Sequence, residues 1–166
     1  MNRLSTIVKG FAFVAVLVQT LFAVTINYRS IGTNTTILNQ GTVTVALGAT
    51  IVTLPSGAFP ENIGQGDEIV FEPGTGPNKE TCYILSRNSS TSITLQATTK
   101  KTHSNILYQI KRAFNTPQAW ADSRGNQRLV ALNYREVGVC YKDGVFDGPL
   151  LFGNRKKKDK VMPIVT

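Results

Sequence analysis

Ile63-Gly64-Gln65-Gly66-Asp67-Glu68-Ile69-Val70-Phe71 is a tight turn running into an apolar strand. Gly64 and Gly66 can take positive φ without a Cβ penalty, and the Asp67 side chain can bond to nearby backbone N–H groups and fix the turn. From Glu68 to Glu72, Ile69 and Phe71 share one face, and Glu68, Val70 and Glu72 share the other. Gly-x-Gly-Asp also invites a phosphate-loop reading. No helix pattern follows and no Lys-Ser/Thr pair closes the loop, so the dinucleotide and P-loop readings fail their context.

Similar units flank this stretch. Thr42–Val45 places Val43 and Val45 on one face, and Thr50–Leu54 continues after a Gly48-Ala49 turn. Pro55, Gly57, Pro60 and Asn62 mark a long connection, and Pro73–Asn78 is dense in breakers. Thr81–Ser86 sets Cys82 and Ile84 against Tyr83 and Leu85. Asn88-Ser89-Ser90 turns the chain, Ser92–Gln96 points Ile93 and Leu95 inward, and Asn105–Lys111 groups Ile106, Tyr108 and Ile110. Short alternating strands at this spacing predict a mainly β fold, a small antiparallel β-barrel or sandwich of about six strands. Its core is Val43, Val45, Ile69, Phe71, Ile84, Ile93, Leu95, Ile106, Tyr108 and Ile110, and Gly64, Gly66, Asp67, Asp143 and Gly144 are its structural turns.

The 166 residues suit one domain or a domain plus a fragment, and 42% apolar content supports a real core. Charged residues make up 17%, below the usual ~25%. The net charge of +8 is concentrated at the two ends, in Arg3 and Lys9 and in Arg155, Lys156, Lys157, Lys158 and Lys160 against Asp159. The body between is nearly neutral, so the charge does not by itself name a partner.

Residues 1–23 read as a secretory signal, with a cationic start, an apolar run from Phe11 and the small Ala23 at a cleavage position; an uncleaved anchor is the alternative. The apolar run is shorter than the roughly 20 residues a spanning helix needs. Export places the protein in the periplasm, outside the cell or on its surface. In that oxidising setting Cys82 and Cys140 form one candidate disulfide, against the alternative of two separate buried thiols. Closing that loop would restrict the unfolded chain by roughly 4 kcal/mol in the entropic account. Asn34-Thr35-Thr36 and Asn88-Ser89-Ser90 match the glycosylation sequon.

The remaining segments divide as an entry strand and loop at 24–40, the β module at 41–112, a short helix with further strands at 113–150, and a basic tail without structure at 151–166. Thr116-Pro117 reads as N-cap and first helical residue, and Gly125 as the stop. Trp120 and Phe114 are expected to pack that turn on the barrel. The strand-like Arg128–Tyr134 and Glu136–Lys142, with Asp-Gly turns at Asp143-Gly144 and Asp147-Gly148, can begin a coil of stacked rungs.

Thr25-Ile26-Asn27-Tyr28-Arg29-Ser30-Ile31-Gly32-Thr33-Asn34, the Gly41–Val45 and Gly66–Phe71 units and Ile110-Lys111-Arg112-Ala113-Phe114-Asn115 together resemble the N-terminal region of secreted bacterial parallel β-helix or surface proteins. The β module also looks like small units of phage tail-fibre proteins. The resemblance implies a surface or structural role and brings no catalytic residues.

Chemistry-bearing residues are sparse. His103 is the single histidine and, following Lys100-Lys101-Thr102, reads as a solvated surface imidazole. Asp67, Glu68 and Glu72, or Asp143 and Asp147, are the carboxylates that glycoside chemistry or a weak calcium site would draw on. Each sits at a turn where Asp and Glu have local reasons to occur. Lys100, Lys101, Lys111 and Arg112 suggest a face for an anionic polymer, without interleaved aromatics for stacking. No cofactor, metal site or specific nucleic acid is expected. The leading reading is a secreted, non-enzymatic structural or adhesion-type module, with a cell-surface glycan or another β protein as partner. The alternatives are a binding region of a carbohydrate-active enzyme and a phage-derived structural protein.

Overall fold

The structure, a computed structural model, describes residues 25–32, 36–125, 134–141 and 164–165. The leader at 1–23, the Asn34 sequon, the Asp143-Gly144 and Asp147-Gly148 turns and the basic run at 155–160 lie outside them.

Six antiparallel strands form the larger sheet: β2 (Thr42–Val45), β3 (Ile51–Thr53), β4 (Glu68–Phe71), β5 (Glu80–Arg87), β6 (Ser92–Leu95) and β7 (His103–Lys111). Their order is β2-β7-β4-β5-β6-β3. The sheet curls until β2 and β3, joined by the short Ala46–Ala49 turn, lie side by side. The result is a nearly closed barrel, with few strand edges left open. β4 sits at the centre. Ile69 is flanked in register by Cys82 and Ile110, and Phe71 by Glu80 and Tyr108.

Alternation puts Val43, Val45, Ile69, Phe71, Ile84, Ile93, Leu95, Tyr108 and Ile110 into one buried cluster, which Leu54, Phe59 and Ile63 from the long connection complete. Ile106 is only partly buried at the rim of that cluster. The reason is local. β7 is irregular opposite Val43 and Val45, and Asn105 there takes φ 52°. Asparagine tolerates that left-handed conformation, and its amide oxygen accepts the Thr42 hydroxyl at 2.7 Å.

A second, parallel sheet stands beside the barrel, with order β1-β8-β9: β1 (Thr25–Ile31), β8 (Tyr134–Cys140) and β9 (Ile164–Val165). β1 and β8 pair in unbroken register from Thr25↔Tyr134 to Ile31↔Cys140. Of the two strand-like stretches read around Arg135, β8 takes in Tyr134 and Glu136–Cys140, and residues 128–133 lie outside the described residues. β9 pairs with Val137 and Gly138, so the end of the basic tail, expected to lack structure, contributes a strand built from β-favouring Ile164 and Val165.

Helix α1 (Pro117–Gly125) packs on β1 and β8 of the parallel sheet. Thr116 caps it as read, its hydroxyl accepting the Ala119 N–H at 3.0 Å. Its packing differs from expectation. Trp120 is fully buried against the parallel sheet rather than the barrel, and a Cβ on Gly138 would come within 2.8 Å of Ile31 Cδ1 and 3.3 Å of the Trp120 ring. Gly138 therefore makes room for the indole. The helix lands there because Phe114, just ahead of it, is bridged to Ile31.

Candidate functional site

The barrel is an insertion between two partners in a parallel ladder, and the chemistry concentrates where it meets β1. Residues of β1 alternate in the direction of their backbone groups. One set faces β8, and Tyr28, Ser30 and Gly32 face the barrel. Gln96 answers Tyr28 like a neighbouring strand: its Oε1 accepts the Tyr28 N–H at 2.9 Å, and its Nε2 donates to the Tyr28 carbonyl at 3.0 Å. The Ser30 N–H donates to the Gly66 carbonyl at 2.9 Å, and the Ser30 carbonyl accepts the Phe114 N–H at 3.0 Å. The Gly32 N–H donates to the Phe114 carbonyl at 2.9 Å. The outer edge of β1 is thus paired from Tyr28 to Gly32 by groups from the barrel and its exit.

This seating explains the glycine turn. Gly66 has φ +88°, and a Cβ there would lie 2.5 Å from the Ser30 nitrogen and 2.7 Å from the Arg29 carbonyl carbon. Only glycine allows both the conformation and the backbone approach. Asp67 follows, wholly buried, its Oδ2 accepting the Gly64 N–H at 2.8 Å. Arg112 Nη1 reaches both carboxylate oxygens at 2.8 Å, and Nη2 donates to the Asn62 carbonyl at 3.1 Å. The guanidinium lies 3.7 Å from the centre of the Tyr141 ring, and the Tyr141 hydroxyl donates to the Gln65 carbonyl at 3.1 Å. Burial pushes the Asp67 carboxyl above its ordinary value against the pull of Arg112 and the Gly64 N–H.

A second polar pair lies inside one end of the barrel. His103, expected as a solvated imidazole, is 1% exposed as the first residue of β7. Its Nε2 is 3.0 Å from Glu80 Oε2, its ring stacks on Phe71 with centroids 4.9 Å apart, and Nδ1 is 3.9 Å from Glu72. Glu80 faces inward because it shares the β5 face of Cys82 and Ile84. Its Oε1 accepts the Lys100 N–H at 2.6 Å. Burial raises the Glu80 carboxyl, but the Lys100 N–H and His103 together outweigh it, and the net lies below the ordinary carboxylate value. Cys82 Sγ approaches Glu80 Oε1 at 3.7 Å, and burial first, then that carboxylate, push the thiol up to about 12.

The candidate disulfide is not formed. Cys82 and Cys140 are both free thiols, one facing the barrel interior and the other on β8 of the parallel sheet. They belong to different sheets.

Between β1 and the barrel rim opens a cleft of about 460 Å³, with Asn27 and Arg29 on one wall and Lys79, Thr81, Tyr83, Thr98, Lys100 and Lys101 on the other. The strand face proposed from sequence is redrawn by this arrangement. Arg112 is buried on Asp67, and Lys111 pairs with Glu68 at 3.2 Å, so neither reaches a free anion. Lys100 and Lys101 instead gather with Lys79 and Arg29. Asp67, Glu68 and Glu72, the sequence candidates for acid–base work, are held respectively by Arg112, by Lys111 and near His103. Among the described residues no group of three His, Cys, Asp or Glu is placed to hold a metal, and no helix is long and apolar enough to cross a membrane.

No family model matches the chain, nor does any curated relative. Two solved structures are similar to part of the chain. The tailspike protein gp49 from Pseudomonas phage LKA1 is 10% identical with a TM-score of 0.38, over 69% of this chain and 20% of its own. The Gp54 tailspike of Acinetobacter baumannii bacteriophage AP22, solved in complex with A. baumannii capsular saccharide, is 14% identical with a TM-score of 0.32, over 70% of this chain and 18% of its own. The chain spans about a fifth of the length of each. At these TM-scores the likeness carries no argument about the chain's activity.

Proposed function

We propose that this chain is a non-enzymatic structural module of a secreted or surface β protein, in which the barrel caps the edge of a parallel sheet. One observation supports this above the rest: the barrel side pairs the backbone of β1 at Tyr28, Ser30 and Gly32. An open parallel edge is a template for another chain. Here the barrel occupies that edge, and added strands are directed to the opposite side, where β9 already pairs with β8. Stacked β architectures need such an end to stay soluble.

The experiment is to expose the edge while sparing the core. Gln96→Ala removes both Tyr28 hydrogen bonds. The expected result is concentration-dependent self-association by sedimentation, with the barrel still folded by circular dichroism. A variant that stays as monodisperse as the parent would contradict the capping role. A second reading, a glycan-binding region, is favoured by the cationic cleft beside the cap.

A further inference from the structure

We propose that the cleft between β1 and the barrel rim binds a carboxylate-bearing saccharide. This deepens the glycan-binding reading and does not depend on the capping role. The fold brings Arg29, Lys79 and the adjacent pair Lys100 and Lys101 together from three separate stretches of the chain. The Lys100 N–H is tied to Glu80, next in the chain to Lys79. Lys101 Nζ bonds to the carbonyls of Pro77 and Lys79, the latter at 3.4 Å, closing the rim. Arg29 enters from the other sheet, its Nη1 on the Tyr28 carbonyl at 2.7 Å.

The charge balance favours an anion. Glu80 is the one carboxylate in the lining, and it is spent on His103 and the Lys100 N–H. Arg29 leans on Glu136 at 3.3 Å from outside the lining. Among the described residues, Lys79 and Lys100 have no carboxylate partner, and both ammonium groups stand on exposed side chains. A cleft of about 460 Å³ lies within the range of ordinary ligand sites.

The remaining lining separates a sugar from a nucleic acid. Single-strand binders stack bases on open aromatic faces. The cleft's aromatic, Tyr83, carries the Arg29 guanidinium 3.6 Å from its ring centre. The lining around the lysines includes the short polar Asn27, Thr81 and Thr98, with Cys82, Gln96 and Ala97 beside them. Short hydroxyl and amide groups of that kind complement the hydroxyls of a sugar, while the lysines complement a carboxylate.

The test is calorimetric titration of the full chain with tetragalacturonate, a neutral dextran oligomer and a single-stranded oligonucleotide. Tetragalacturonate is expected to bind, more weakly as salt is raised, and dextran and oligonucleotide are expected not to. Lys79→Glu with Lys100→Glu should weaken tetragalacturonate at least about tenfold. Lys111→Ala, outside the cleft, should leave it unchanged. Thermal melting of both variants verifies the fold. Binding of dextran alone would overturn the carboxylate assignment and keep the glycan reading. Binding of the oligonucleotide alone, or of no probe, would overturn both. Tetragalacturonate binding indifferent to the double reversal would place the site elsewhere and overturn the assignment of this cleft.

Discussion

Arg112 holds both carboxylate oxygens of Asp67 at 2.8 Å, and both side chains are buried. Through this pair the end of the last barrel strand is fastened to the turn that meets β1, and Tyr141, just past β8, covers the guanidinium. Removing one partner strands a buried charge. Arg112→Ala is expected to destabilise the fold by about 3–5 kcal/mol in chemical denaturation. Replacing both residues, as Asp67→Leu with Arg112→Met, should recover a large part of that loss, since no uncompensated charge remains. Equal losses in the single and double variants would contradict the pairing.

Gly66→Ala introduces two faults at once, a side chain at φ +88° and a Cβ 2.5 Å from the Ser30 nitrogen. Backbone atoms have no rotamer by which to yield. A loss of about 3 kcal/mol or more is expected. Gly48→Ala, at φ +80° with no atom within 4 Å of its Cβ, should cost only the conformational part, about 1–2 kcal/mol. The difference between the two melting shifts measures the contact with β1.

Acid stability should carry the signature of Glu80. Its folded value lies below the ordinary 4.5, so the folded state binds its proton less readily than the unfolded chain. That contribution is present in full above about pH 4.5 and is lost as pH falls through the lower folded value. Denaturant midpoints measured from neutral pH downward should decline in that acid range. Glu80→Gln should flatten the decline. An unchanged slope in that variant would assign the acid sensitivity to other groups.

The thiols should differ in reactivity. With its pKa near 12, Cys82 holds almost no thiolate at pH 8 and is shielded in the barrel. Iodoacetamide is expected to label Cys140 first in the native protein and Cys82 only on unfolding. Denatured protein that has seen no reductant should take two labels by mass spectrometry, as two free thiols require.

The strands were legible where one face is buried and the other is wet. Ile93 and Leu95 in β6, and Ile69 and Phe71 in β4, repeat at the strand period, and the breakers between them mark turns. What could not be read was long-range and polar. Nothing near His103 announces burial. Its neighbours Lys100, Lys101 and Thr102 are polar, and its partner Glu80 is 23 residues away. Gln96 falls on the polar face at the end of Ser92–Gln96 and bonds Tyr28 across 68 residues. Arg112 reads as one more surface cation until the turn around Asp67, 45 residues earlier, is folded beside it. Single residues that complete another strand's hydrogen bonds leave no periodic trace. Trp120 reads as a packing residue and is buried, but α1's short pattern does not say which sheet it covers.

The central claim is that the barrel and the parallel sheet are locked together along β1. Native-state hydrogen exchange resolves this amide by amide. The Ser30 N–H, bonded to Gly66, and the Ile84 N–H, bonded to Asp67 inside the barrel, should exchange with the same opening free energy. Fast exchange at Ser30 beside full protection at Ile84 would show a barrel that stands free of β1, and would contradict the account.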